Sequence, residues 1–206
     1  RDWFNDHKQQ YEDCVRSPAL AFIEQMQQWI PLISPHYEAS PKKIGGSLMR
    51  VYRDVRFSKN KAPYKTNVGI KFRHEVGKSA HAPGFYLHIA ADKIFLGVGI
   101  LQTYREHLSA IRYHIVTKPG PYLDAIEHQP FNEFYQLAGT KLIRPPKGYD
   151  KENTLIEEIK RKDFIALCQL EESELYQPDF CKMVASRFAR AQPFQKFICE
   201  ALGLRF

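Results

Sequence analysis

Four short segments in the middle of the chain alternate apolar and polar residues, and this alternation constrains the fold more than any other feature of the sequence. The segments are 48–57, 67–73, 85–90 and 94–100. Successive side chains of a β-strand point to opposite faces of a sheet, so a period of two is typical of strands with one buried face. The intervals contain Gly, Pro or Asp and are too short for crossover helices. We therefore expect neighbouring strands to pair antiparallel.

Both ends of the chain have helical periodicity. Apolar and aromatic residues at three- and four-residue steps predict an amphipathic helix over 3–16. Ser17 and Pro18 predict the N-cap and first turn of a second helix that ends at Pro31. Beyond Gln102 the pattern predicts further helices, including 152–161, 178–190 and 193–202, with one strand at 164–170. The sequence thus predicts one α+β domain spanning residues 1–206, with an antiparallel sheet meander flanked by N- and C-terminal helices.

Positive charge is concentrated in one segment, residues 42–78. The whole chain has 30 Lys and Arg against 23 Asp and Glu, a net charge of +7. The segment holds eleven Lys and Arg against Asp54 and Glu75, so it carries +9 and the remaining chain −2. Two acids cannot pair these cations, which favours a site for a small anionic or phosphorylated ligand. The predicted ligand-binding residues are Arg53, Arg56, Lys59, Lys61 and Lys65, with Arg112 contributed by a later helix and Asp54 orienting the arginines.

Two glycines, Gly97 and Gly99, share one face of the strand over 94–100. Glycine within a strand often marks a place where another group approaches closely, and here we favour a packed helix over a ligand. If the polar faces of the strands coincide, seven polar side chains surround this glycine floor. They are Tyr52, Asp54, Arg56, Lys71, Arg73, Tyr86 and His88.

Other interpretations of the basic segment remain open. A phosphoester hydrolase or transferase would use Asp54 or His88 as its acid or base. The neighbouring Arg53 and Arg56 should lower the pKa of Asp54, which suits an ion pair better than a general base. A nucleic-acid-binding protein would combine the cations with stacking on Tyr52, Phe57, Tyr64 and Phe72. The basic face could also meet an acidic partner protein, or be a solvated surface.

Sequence motifs for metals and cofactors fail when they are tested. Gly77-Lys78-Ser79 ends like a phosphate-binding loop, but position 72, where that motif begins with glycine, is Phe72. Gly97-Val98-Gly99 is followed by Gln102 where a dinucleotide fingerprint needs its third glycine. The histidines do not cluster at metal-ligand spacing. We therefore expect neither a metal nor a cofactor.

The compartment is predicted from the cysteines. Cys14, Cys168, Cys181 and Cys199 are widely scattered and form no C-x-x-C pair, which is typical of free thiols in a reducing compartment. No apolar run approaches the roughly 18–20 residues that span a bilayer. We expect a cytoplasmic protein without a membrane partner. The oligomeric state is left open.

Residues 53–66, RDVRFSKNKAPYKT, resemble the signature of a bacterial and fungal family known as domain of unknown function 2461. Similar stretches occur at Trp3-Phe4, at 84–89, at 146–150 and at 160–164, so the resemblance covers nearly the whole chain. The sequence departs from the signature at Asn60, where aspartate is usual, and at Ala62, where threonine is usual. The resemblance implies a single α+β domain with a shared site around the signature, and it implies no activity.

Overall fold

The sheet predicted from the alternating segments is present, and it is larger than expected. The structure, a computed structural model, describes residues 2–77, 83–101 and 103–206. Six antiparallel strands pair in the order β1-β2-β3-β4-β6-β5. Their bounds are β1 Tyr37–Glu38, β2 Asn67–His74, β3 Gly84–Ala90, β4 Lys93–Ile100, β5 Gln136–Ala138 and β6 Phe164–Gln169. The meander over β1 to β4, flanked by N- and C-terminal helices, confirms the predicted α+β class.

Helices lie before, between and after the strands. Before the sheet are α1 Asp2–Asp6, α2 Lys8–Tyr11, a π-helical turn Glu12–Arg16, α3 Ser17–Met26 and α4 Ile30–Ile33. Between β4 and β6 are α5 Arg105–Thr117, α6 Pro119–Glu127, α7 Gln129–Asn132 and α8 Ile156–Ile159. After β6 come a 3₁₀ turn Glu172–Tyr176, α9 Phe180–Arg190 and α10 Gln192–Ala201. The helix expected over 152–161 is therefore limited to the single turn of α8.

The core lies on one face of the sheet. Register places Phe72 opposite Phe85, and Phe85 opposite Val98, so buried side chains from three strands meet in one row. Helices α3, α9 and α10 contact this sheet, and Phe188 of α9 packs against Phe72 and Phe85 with ring centroids 6.1 and 5.0 Å apart. Because successive side chains of a strand point to opposite faces, the side chains that alternate with these core residues on β2 and β3 lie on the other face of the sheet.

The N-terminal helical run, residues 2–26, passes through Pro18 without a break, so the predicted N-cap at Ser17 is wrong. Ser17 has helical dihedrals, φ −63° and ψ −47°. Its N–H donates to the carbonyl of Glu12, five residues earlier, at the end of the π turn. Proline lacks an N–H and crowds the carbonyl four residues before it. The π turn changes the hydrogen-bonding register just ahead of Pro18, as such turns do within helices.

The strand predicted over 48–57 does not form. Leu48 pairs with Ile70 in an isolated bridge, and the chain then leaves the sheet. Within the described residues, β1 pairs with the outer edge of β2 only at Arg73 and His74, so occupation of that edge does not by itself prevent a longer strand. The outgoing chain instead pairs with its own return, with Arg53 N–H donating to Pro63 O (2.9 Å) and Lys65 N–H to Val51 O (2.8 Å). We call the connecting residues 54–62 the basic loop.

Among the helices of the described ranges, none combines the length and apolar character needed to cross a bilayer.

Candidate anion-binding cleft

A cleft of about 870 Å³ opens between the N-terminal helical run and the first half of the basic segment. One wall comes from the helical run, through Phe4, Tyr11 and Arg16. The opposite wall is formed by residues 42–46 and 48–52, together with Asp54, Lys65 and Arg73. We call this space the basic cleft. Its volume lies within the range of small-molecule sites, roughly 300–1,000 Å³.

Cations greatly outnumber acids around the basic cleft. Seven Lys and Arg line it against two carboxylates, Glu12 and Asp54. Glu12 already accepts a hydrogen bond from Arg16 (2.8 Å), and Asp54 is paired with Arg56, which does not line the cleft. Within the described residues, the six other cations form no ion pair. They are Lys8, Lys42, Lys43, Arg50, Lys65 and Arg73.

Two of these cations repel each other across the cleft wall. Lys65 is half-buried, and burial together with the positive charge of Arg50 lowers the pKa of its ammonium group. On β2, burial and the charge of Arg73 lower the pKa of Lys71 to about 8. Like charges held close together in a partly desolvated place are stabilised when an anion binds between them. Of these groups, Arg50, Lys65 and Arg73 line the cleft, whereas Lys71 is not in its described lining.

Lys65 is the one predicted ligand-binding residue among the described residues lining the basic cleft. Arg56 lies on the basic loop, where its guanidinium holds Asp54 through two hydrogen bonds of 3.0 and 2.7 Å. Lys61 donates to the carbonyl of Val55 (3.0 Å), and Lys59 is exposed. Arg53 alternates with two cleft-lining residues, Tyr52 and Asp54, and is not in the lining. Of the basic loop, Asp54 lines the cleft, whereas the three cations Arg56, Lys59 and Lys61 are not in its described lining.

Asp54 is built into an ion pair on the protein surface. Hydrogen bonds from Arg56 and the charges of Arg56 and Arg50 lower the pKa of its carboxyl to about 2. The carboxylate also accepts the backbone N–H of Arg56 at 3.2 Å. A carboxylate this acidic is a poor general base near neutral pH. Its chemistry fits orienting Arg56, one of the two roles predicted for it.

Arg112 lies away from the basic cleft, in the interior beneath α8. It is 8% exposed, and its guanidinium donates to the carbonyls of Ile159 (2.7 Å) and Arg161 (2.8 Å). These bonds attach α5 to the chain that leads into β6. The geometry gives Arg112 a structural task, and it is absent from the described lining of the cleft.

The second face of the sheet carries part of the polar group predicted from the sequence. Register aligns Lys71 with Tyr86 and Gly97, while His88 lies two residues further along β3 on the same face. His88 Nδ1 lies 3.1 Å from the Tyr86 hydroxyl and 3.4 Å from Asn67 Nδ2, and burial followed by the charge of Lys93 lowers its pKa. Tyr52, Asp54 and Arg56 belong to chain outside the strands, and Tyr52 and Asp54 line the basic cleft together with Arg73.

The close approach at the two glycines comes from neighbouring strands, so the favoured packed helix is wrong. A Cβ on Gly97 would meet Leu167 of β6 at 3.5 Å and Tyr86 of β3 at 3.7 Å. A Cβ on Gly99 would collide with the backbone carbonyl of Phe164. The helices that cover the sheet lie on the opposite face, where the core is.

The sequence singled out Arg50 as one of the cations of its segment and Arg73 as a neighbour of the glycine floor, but neither is among the predicted ligand-binding residues. Both belong to the basic segment, but their common location depends on Arg50 following the bridge at Leu48 and Arg73 ending the neighbouring edge strand. Nothing in the local sequence indicates that Lys8 and Arg16 line the cleft, because cations on a surface helix are common. Within the described residues, no group of three or more His, Cys, Asp or Glu is placed to hold a metal ion.

The chain was compared with protein families, with curated proteins and with solved structures. Residues 1–197 match the sequence model of one family, described as Conserved hypothetical protein (DUF2461). No curated protein and no solved structure matches the chain.

Proposed function

We propose that this chain, which belongs to the DUF2461 family of conserved hypothetical proteins, binds a small anionic or phosphorylated ligand in the basic cleft. One observation carries the proposal: Arg50, Lys65 and Arg73 line a single cleft, and within the described residues none of them forms an ion pair. Lys65 and Arg73 are half-buried and Arg50 is exposed, and removing cations from water without a counter-charge costs free energy. A bound anion supplies that charge.

The types of cation favour a phosphate or carboxylate group. The planar guanidinium groups of Arg50 and Arg73 suit bidentate hydrogen bonding to such groups, and the ammonium of Lys65 adds a compact point charge. Lys42 and Lys43 lie on the same wall and extend the positive field towards solvent. A field of one sign focused in a cleft raises the local concentration of anions and speeds their capture.

Binding is favoured over phosphoester chemistry by the positions of the two predicted acid or base residues. Asp54 lines the cleft, but its carboxylate is held by Arg56 and its pKa is about 2. His88 lies on the second face of the sheet and is not among the described residues lining the cleft. A general base must reach the proton it removes and titrate near the working pH. Neither residue meets both conditions.

Titration with inorganic phosphate and pyrophosphate, followed by calorimetry, tests the proposal. Lys65→Gln removes one charged donor, so we expect the affinity to fall about tenfold or more. Lys182→Gln, on the exposed face of α9, is the matched control and should leave the affinity unchanged. Lys59→Gln separates the cleft from the basic loop, and we expect less than a twofold change.

Three results would contradict the proposal. The first is an absence of binding to either anion at low salt. The second is a larger loss with Lys59→Gln than with Lys65→Gln, which would move the site to the basic loop. The third is tight binding of single-stranded RNA or DNA that falls steeply with salt and exceeds pyrophosphate binding, which would identify a nucleic-acid surface.

A further inference from the structure

A second cavity of about 670 Å³ lies beside the basic cleft, and its lining is mainly apolar. Its lining includes Val68, Ile89 and Ile94, which pack against the core and are only partly buried. Trp3 of α1 and Tyr176 of the 3₁₀ turn stand at its edge, 69% and 75% exposed. We call it the apolar cavity. Large aromatic side chains left this exposed around a concave apolar surface are typical of a binding site.

Four residues line both cavities: Phe4, Tyr11, Val51 and Lys65. Phe4 is fixed in this shared wall by stacking on Tyr64, with ring centroids 4.3 Å apart, and by Tyr11 at 5.4 Å. Lys65 belongs to the same wall and is half-buried, and a lysine can pack its alkyl stem on apolar surface while its ammonium group stays in polar surroundings. The cation-rich cleft and a cavity lined mostly by apolar side chains, with Glu172 also in its lining, therefore share Lys65.

We propose that the ligand of the basic cleft is an anionic amphiphile, whose phosphate or carboxylate headgroup binds beside Arg50 and Lys65 and whose alkyl chain passes Lys65 into the apolar cavity. This inference rests on the proposed function, because it takes the headgroup site from there. The headgroup of such a molecule accepts hydrogen bonds from charged donors, and its alkyl chain is stabilised by leaving water for an apolar surface.

A flexible chain is favoured over a ring joined directly to the headgroup. The shared wall of Phe4 and Lys65 separates the two cavities, so a ligand that fills both must bend around it. An alkyl chain does so by rotating single bonds, whereas a phenyl group bonded to the phosphate oxygen stays on the headgroup side. Phenyl phosphate and the alkyl phosphates thus distinguish the two kinds of amphiphile.

The test is a calorimetric titration of the full chain with inorganic phosphate and with ethyl, butyl, hexyl and octyl phosphate. Each methylene that enters the apolar cavity should tighten binding about fourfold. Ala91→Trp places a large ring in this cavity from an exposed turn between β3 and β4. We expect the variant to abolish the dependence on chain length while inorganic phosphate binds as before. Ala21→Trp, on the exposed side of α3 and outside both linings, is the matched control.

Lys65→Gln provides an independent arm of the same experiment. It should weaken every alkyl phosphate by a similar factor and leave the gain per methylene unchanged, because the chain still enters the apolar cavity. Hexanol, which has the chain without the charge, should bind far more weakly than hexyl phosphate. Phenyl phosphate should gain little over inorganic phosphate.

The possible failures are distinct. If inorganic phosphate binds but chain length has no effect, this inference is wrong and the proposed function stands. If neither phosphate nor any alkyl phosphate binds, both are wrong. If hexanol binds as tightly as hexyl phosphate, the amphiphile is not anionic. If the free protein is a dimer that Ala91→Trp converts to a monomer, a second chain occupies the cavity and the inference fails.

Discussion

Gly99→Ala is expected to destabilise the protein by roughly 3 kcal/mol, whereas Gly97→Ala, two residues earlier on the same strand, should cost less than about 1 kcal/mol. Gly99 has φ +107°, a backbone conformation that side chains disfavour. A Cβ there would also strike the carbonyl of Phe164 in the neighbouring strand, and backbone cannot give way as a side chain can. At Gly97 the nearest atoms belong to the side chains of Leu167 and Tyr86, at ordinary contact distances.

Urea denaturation of the two variants and the parent protein measures the difference. The pair is well matched, since both substitutions add one methyl group to the same face of β4. A Gly97→Ala variant as unstable as Gly99→Ala would mean that the face as a whole, and not the conformation at Gly99, excludes side chains. Phosphate binding by folded Gly97→Ala should be unchanged, because Gly97 does not line the basic cleft.

Arg112→Met is the second substitution with a large expected effect, roughly 3 kcal/mol of lost stability. The carbonyls of Ile159 and Arg161 each lose a charged donor inside the protein. Methionine fills much of the space but offers no hydrogen bond, so these acceptors are left unsatisfied. Burial lowers the pKa of Arg112 only from a very high ordinary value, so the guanidinium keeps its charge at neutral pH.

The same substitution distinguishes the two roles considered for Arg112. A structural residue should affect denaturation by urea and leave phosphate affinity within about twofold in the folded protein. Arg144→Met, at an exposed position, is the control and should change stability by less than about 0.5 kcal/mol. A stable Arg112→Met protein with greatly weakened phosphate binding would contradict this assignment and return Arg112 to the ligand site.

The strands were the most predictable part of the fold. Alternation located β2, β3 and β4 to within one residue at most ends, because one buried face and one polar face impose a period of two. The same signal failed at 48–57, where the chain leaves β2 after the bridge at Leu48 and pairs instead with its own return at Arg53 and Lys65. A strand forms only when a neighbouring segment hydrogen-bonds to it, and a local sequence pattern does not indicate which segment that will be.

The sequence predicted that the candidate site is positively charged, but it predicted few of the residues that line it. The segment of excess positive charge, residues 42–78, includes Lys65, which lines the cleft, and an ion pair between Asp54 and a neighbouring arginine was expected. The loop cations Arg56 and Lys61 turned out to have partners within the loop. Arg112 has the same residue type as Arg50, and only burial and the nearby carbonyls separate their roles.

By itself, the sequence determined that this protein has a meander of antiparallel strands between helices and a single strongly basic segment. Both are local properties, since periodicity and charge are read from consecutive residues. The tertiary structure alone decided that Arg50, Lys65 and Arg73 share a cleft with the N-terminal helical run, and that Lys65 also borders an apolar cavity. In both cavities, residues that are far apart in the sequence become neighbours. This proximity depends on how the helical run packs beside the sheet, which no local pattern of residues indicates.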